Sequence, residues 1–185
     1  MRKPIVQSVK GMHDILPPEQ WLWERIRQAF RAVVEYYNFV RIDTPLVEKS
    51  ELFERTVGRA TDLVGKQMFQ LKSSDKEGLV LRPENTAAIA RAYIEHGLSR
   101  LGQPLKLYHL GPMFRHEQPQ EGRYRQFHQA GIEIMGGDYD AIYDAQAILV
   151  CYRVLEELKV SRINLQINTI GCRTCRPLFK KKLQA

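Results

Sequence analysis

Apolar positions recur at helical spacing in PPEQWLWERIRQAFRAVVEYYN, where Leu22, Ile26, Ala29, Phe30, Val33 and Tyr37 share one face behind two prolines suited to a helix start. FVRIDTPLVE is β-branched and apolar around Pro45, which predicts a strand broken at the proline. KQMFQLKS and GLVLRP alternate as two strands around the turn-rich SDKEG, a hairpin pattern. ENTAAIARAYIEHGLSR predicts a helix with small alanines for close packing and a stop at Gly97. Two longer strands follow, PLKLYHLGPMFR and RQFHQAGIEIMGG. DAIYDAQAILVCYRVLEELK is a long helix with Ile142, Ala145, Ile148, Leu149, Tyr152 and Leu155 on one side. INLQIN alternates as a further strand, and TCRPLFKKKLQ predicts a closing helix.

Strands here follow one another through hairpins, and helices fall between groups of them. Regular βαβ alternation is absent. The expected fold is therefore α+β, a largely antiparallel sheet flanked by helices, with residues 1–185 in one domain. At 185 residues and 44% hydrophobic content the chain can bury a substantial core.

Lysine and arginine number 28 against 21 acids, a formal charge of +7 that suits a polyanionic partner, although only RPLFKKKLQA concentrates it. Three cysteines, Cys151, Cys172 and Cys175, are too few for the disulfide framework of a secreted domain. No signal peptide opens the chain and no apolar run of about 18 residues could span a bilayer, so a cytoplasmic, membrane-free protein is expected.

The chemistry concentrates in FRHEQPQEGRYRQFHQ. Side chains alternate along a strand, so Arg125, Phe127, Gln129, Gly131 and Glu133 share one face, while Gln126, His128, Ala130, Ile132 and Ile134 form an apolar one. The preceding strand repeats this, with His109, Gly111, Met113, Arg115 and Glu117 together and Tyr108, Leu110 and Phe114 opposite. Paired as a long-looped hairpin, the two strands bring Arg115 and Glu117 beside Phe127 and Gln129. A guanidinium for phosphate, a carboxylate for an exocyclic amine and a ring for a base make a nucleotide surface. The wet side of a half-covered antiparallel sheet would give the same pattern. Neither GxxxxGK[ST] nor GxGxxG is present.

FRHE, a loop and RYRQF resemble the second signature of class II aminoacyl-tRNA synthetases, Arg-x-Glu followed by Arg-x-x-x-Phe. With GPMFRHEQPQEGRYRQFHQAGIEIMG, LRPENTAAIARAYIEHG, KGMHDILP and TPLVEKSELFERTVG, residues 11–168 resemble the amino-terminal part of the catalytic domain of the histidyl-tRNA synthetase family. The resemblance implies a six-stranded antiparallel sheet, a homodimer, and histidine–tRNA ligase activity in two steps. ATP, used with Mg2+, and L-histidine give histidyl-adenylate; the histidyl group then passes to tRNA(His).

It also implies roles. Arg115 is matched to the α-phosphate, Glu117 to the adenine amine, Phe127 to the adenine ring and Arg123 to the outer phosphates. Glu84, Thr86 and Gln129 are matched to the α-amino group of histidine, Glu133 to its imidazole and Pro45 to the dimer interface. Asn85 stands where many relatives carry glycine, and its bulk is expected to adjust the amino-acid loop. The third signature, the histidine-specific segment and the anticodon-binding domain of the family lie further along than Ala185, so a truncated catalytic domain without aminoacylation activity of its own is expected.

His13, His96, His109, His116 and His128 have no Ser or Cys partner at a motif spacing and are read as structural. The terminal lysines are read as a solvated helix face. Cys172 and Cys175 have the spacing of half a zinc site; Cys151 is read as core, so two further ligands would have to come from beyond Ala185 or from another chain, no metal is assigned, no zinc is expected, and either a purely structural role or an exposed redox-sensitive pair is favoured. Two rivals remain, the histidine-sensing regulatory subunit of ATP phosphoribosyltransferase and a general nucleic-acid-binding module.

Overall fold

The computed structural model describes residues 6–57, 67–72, 77–138, 140–168, 171, 172 and 174–183. A 3-10 turn over Pro17–Glu19 leads into helix α1, Gln20–Tyr36, and Asn38, in the left-handed region at φ 62°, turns the chain out of it. The strand expected around Pro45 is broken as foreseen. Its first half, β1 (Val40–Arg41), and its second, β2 (Val47–Lys49), join different sheets. A helix that periodicity did not single out, α2 (Ser50–Val57), follows. Strands β3 (Phe69–Leu71) and β4 (Leu79–Leu81) pair antiparallel, while residues 73–76 of their SDKEG turn lie outside the described residues.

Helix α3 (Thr86–Glu95) ends before Gly97, whose φ of 62° glycine adopts without strain. Strands β5 (Leu105–Phe114) and β6 (Gln126–Met135) form a ten-pair antiparallel ladder in which Met113 faces Phe127, Gly111 faces Gln129 and His109 faces Gly131. Helix α4 (Ala141–Glu157) opens with the Asp140 carboxylate accepting from Ile142 N at 2.9 Å, and α5 (Cys175–Leu183) follows.

Among the described residues the strands form two three-stranded sheets, β1-β5-β6 and β2-β4-β3, where the resemblance implied one six-stranded sheet; of their pairs only β1–β5 is parallel. Arg82 joins them. Its carbonyl accepts from Phe114 N at 3.0 Å, and its own N–H donates to Leu46 O at 2.9 Å. The INLQIN segment forms no strand: nothing pairs with it among the described residues, and Leu165 and Ile167 are 55% and 72% exposed. Alternation without a partner strand leaves backbone groups to water, so the pattern alone does not make a ladder.

The apolar face of β5 and β6 packs under α1 and α4. Phe30, Val34, Phe39, Tyr108 and Val150 are buried there, with Val33, Tyr37, Leu110, Ile132, Ile134 and Val154 against them. Ala130, on the same face, is exposed. The stripes foreseen on the two helices are partly displaced. Leu22 and Ile26 are exposed while Phe30 and Val34 of the same helix are buried, and α4 turns Val150 and Val154 inward, leaving Ile142, Leu149, Tyr152 and Leu155 outside. Cys151, expected in the core, is exposed for the same reason. A second cluster, Phe53, Met68, Val80 and Ala87, holds α2 and α3 on the smaller sheet.

Candidate active site

The other face of the β5–β6 ladder is a floor. At one end, Arg115 leaves β5 with its Nε donating to Pro83 O at 3.0 Å; its guanidinium lies 5.0 Å from the centroid of the Phe127 ring and 3.9 Å from a Glu117 carboxylate oxygen. This cation–π contact and weak ion pair align a planar cation beside an aromatic face, which is what recognition of a phosphorylated base asks of a protein. The loop between the strands closes through Arg115 N to Arg125 O at 2.8 Å, and Arg125 ties it down by donating to Glu117 O at 3.0 Å and, through its backbone, to Gly11 O at 2.7 Å. Gly11 has a φ of 84°, and a Cβ there would come within 3.0 Å of the Arg125 side chain. Arg123 is exposed in the Gln120–Arg123 turn of this loop, and its side chain forms no hydrogen bond or ion pair among the described residues.

At the other end, the turn between β4 and α3 brings up the amino-acid candidates. The Glu84 carboxylate accepts from Thr86 N at 2.6 Å and Ala87 N at 3.0 Å, so it closes the first turn of α3. The Thr86 hydroxyl donates to Glu133 at 2.7 Å on the neighbouring strand. Burial, opposed by that bond and helped by the Glu84 charge, raises the Glu133 carboxyl above its usual range. Gln129 lies between the two ends, and its Oε1 is buried with no hydrogen-bond partner among the described residues. An orphaned acceptor in a half-buried amide suits a ligand that brings a donor.

Glycines keep the floor low. A Cβ on Gly111 would lie 2.7 Å from Arg82 Nη2, and one on Gly131 would collide with His109 Nε2.

Three buried residues at the site carried no functional assignment in the sequence. Arg82 is 5% exposed; its guanidinium donates to Pro112 O at 3.2 Å, Thr44 O at 2.8 Å, Thr44 Oγ1 at 3.0 Å and Asn85 Oδ1 at 3.3 Å. Asn85 also accepts from the Thr44 hydroxyl at 2.6 Å. Its bulk is thus directed under the loop, tying the turn that carries Glu84 and Thr86 to the segment before Pro45. Burial and the Arg82 charge lower the His109 imidazole to about 4, so it is neutral at physiological pH. An arginine inside an apolar-flanked strand end was the available signal, since a buried guanidinium must be satisfied by nearby acceptors.

The remaining histidines take structural places. His128 packs on Trp23, with ring centroids 4.5 Å apart, and burial beside Arg27 lowers its imidazole; His116 meets Phe69 edge-on at 5.0 Å and His13 meets Tyr124 at 4.7 Å. Pro45 is exposed beside Glu48, which is buried and paired with Arg91. The structure thus brings Arg115, Glu117 and Phe127 together, and Glu84, Thr86 and Glu133 together, with Gln129 between. Arg123 and Pro45 stand apart on the surface.

Comparison with known proteins places the chain in a family. The histidyl-tRNA synthetase family model matches residues 11–174. A histidine–tRNA ligase of Trichlorobacter lovleyi is 47% identical over 180 residues, covering 97% of this chain and 43% of that protein. One from Solibacter usitatus is 44% identical over 181 residues, covering 98% and 44%. Among solved structures, apo S. aureus histidyl-tRNA synthetase superposes with a TM-score of 0.80 at 31% identity over 97% of this chain and 41% of its own. A Bacillus halodurans protein described as an ATP phosphoribosyltransferase regulatory subunit/histidyl-tRNA synthetase superposes with a TM-score of 0.73 at 27% identity, covering 87% and 40%. The chain spans less than half the length of these relatives. From its second-signature hairpin to the family match over most of its length, the chain belongs to the histidyl-tRNA synthetase family.

Proposed function

We propose that this chain supplies the ATP- and histidine-binding part of a histidine–tRNA ligase. A histidine carboxylate oxygen attacks the α-phosphorus of ATP, the bond to the bridging oxygen breaks, and histidyl-adenylate and pyrophosphate result; the histidyl group then passes to tRNA(His). The observation that carries this reading is the single face on which Arg115 lies 3.9 Å from Glu117 and 5.0 Å from the Phe127 ring centroid, in line with Gln129 and the Thr86–Glu133 pair.

No covalent nucleophile is needed, because positioning and charge stabilisation carry such a displacement. Arg115 would neutralise charge developing on the α-phosphate. Adenine stacking on Phe127 would trade the cation–π contact for base stacking and release the guanidinium to the phosphate, with Glu117 accepting from the exocyclic amine. Arg123, at the loop tip, would fold in on the outer phosphates. Gln129 Oε1 and the free lone pairs of Glu84 would take the histidine ammonium group, Thr86 would hold that end of the floor, and Glu133 would accept from the imidazole. Magnesium belongs to this scheme as the counter-ion of ATP; among the described residues no three His, Cys, Asp or Glu side chains gather to hold one.

The same reading places the protein in the cytoplasm as a homodimer that meets through the Pro45 segment. No helix among the described residues is long and apolar enough to cross a membrane.

A second reading, histidine sensing as a regulatory subunit, draws on the name of the Bacillus halodurans relative. ATP–pyrophosphate exchange by the protein at the full length of its relatives separates them. Exchange that requires histidine supports the ligase; histidine binding without exchange supports the sensor; salt-sensitive tRNA binding without either indicates a general nucleic-acid module.

A further inference from the structure

We propose that Cys172 and Cys175 are a redox-active dithiol, oxidised to an intramolecular disulfide by a low-molecular-weight disulfide of the glutathione class. The pair lies away from the ATP and histidine floor, at the entry to α5, and both side chains are exposed. Each thiol faces the backbone of the other: Cys172 N donates to Cys175 Sγ at 2.9 Å, and Cys175 N donates to Cys172 Sγ at 3.3 Å. These reciprocal bonds hold the two sulfurs close to one another. Gly171 makes room for the Cys175 sulfur. Its φ is 76°, and a Cβ there would lie 2.9 Å from Cys175 Sγ, so a side chain would strain the backbone and crowd the sulfur together. Solvent access, two thiols three residues apart and donors aimed at the sulfurs are the features of an exchange site.

The same donors divide the labour. Hydrogen bonds from the Cys175 backbone, then from its side chain, lower the Cys172 thiol to about 7. Cys172 is therefore the attacking thiolate. It displaces one thiolate from the incoming disulfide, whose S–S bond breaks as the Cys172–sulfur bond forms. The released thiolate takes up a proton. Cys175 then gives up its proton and attacks Cys172, forming the internal disulfide and releasing the second thiol. Two electrons leave the protein dithiol and reduce one small disulfide to two thiols, so nothing further is required. Zinc would need two more ligands, and among the described residues no third His, Cys, Asp or Glu joins the pair.

The test is a glutathione redox titration of the 185-residue chain, quenched with acid, alkylated and read by mass spectrometry. The expected result is the loss of two hydrogens on the peptide holding Cys172 and Cys175, with Cys151 still alkylated. Cys175→Ser should stop at a glutathione adduct on Cys172, and Cys172→Ser should react about tenfold more slowly at pH 7. Both substitutions are at exposed positions, and the wild-type titration decides the matter without them. Failure to form the internal disulfide even in fully oxidised glutathione would overturn the proposal, as would oxidation of Cys151 first or one zinc retained per reduced chain.

Discussion

Arg115 is held in place before any ligand arrives. Its Nε is spent on Pro83 O, which anchors the guanidinium 5.0 Å from the Phe127 ring centroid and leaves its outer nitrogens to turn to a phosphate. Removing one preorganised donor of this kind costs about 3–4 kcal/mol of barrier. Arg115→Ala should therefore lower histidine-dependent exchange by about 10²–10³-fold in the full-length protein; a rate near wild type would remove it from the mechanism. Glu133 presents the opposite balance. Its carboxyl is raised by burial, so its contribution to stability is present below the unfolded carboxyl range and lost as pH rises through the folded value. Glu133→Gln should raise the melting temperature at pH 7, lose that advantage below about pH 4, and weaken histidine binding at least about tenfold. His109 works the other way. Lowered to about 4, it stabilises the fold above its unfolded value near 6.5 and loses that contribution, on the order of 3 kcal/mol, as pH falls toward 4. The fall in melting temperature between pH 7 and pH 5 should be smaller for His109→Gln than for wild type.

At the level of elements, the β5–β6 hairpin was legible because its period of two put chemistry on one face and aliphatics on the other, and the ladder pairs those faces as the alternation implies. Helix existence was legible too; helix orientation was less so. The stripe read on α4 by spacing holds Leu149 and Tyr152 in solvent, and the buried face runs through Val150 and Val154. Two apolar stripes on one helix give periodicity no means of choosing between them; packing against Ile132, Ile134 and α1 decides. INLQIN fails for a related reason, since a strand is completed by a neighbour. The Arg82–Asn85–Thr44 network was illegible because its bonds span 38 and 41 residues of sequence. Phe39 follows α1 and is 2% exposed among the α1, β5 and α4 side chains. Phe39→Ala should cost about 3–5 kcal/mol, a large part of a typical domain's stability, measurable by urea denaturation.

Across the whole molecule, two small sheets meet where Arg82 bridges β4 and β5, and the candidate histidine and ATP residues are distributed along that junction. The same guanidinium holds Thr44, next to Pro45, so a dimer interface at Pro45 would lie one residue from the floor's support. Sedimentation at micromolar concentration should find a dimer burying more than roughly 1,000 Å²; a monomer would detach Pro45 from the account. The most direct test of the central claim is a crystal structure with a non-hydrolysable histidyl-adenylate analogue. Adenine against Phe127, the phosphate mimic on Arg115 and the imidazole at Glu133 is the predicted result; an analogue bound elsewhere, or Arg115 and Phe127 turned away from it, would contradict the account.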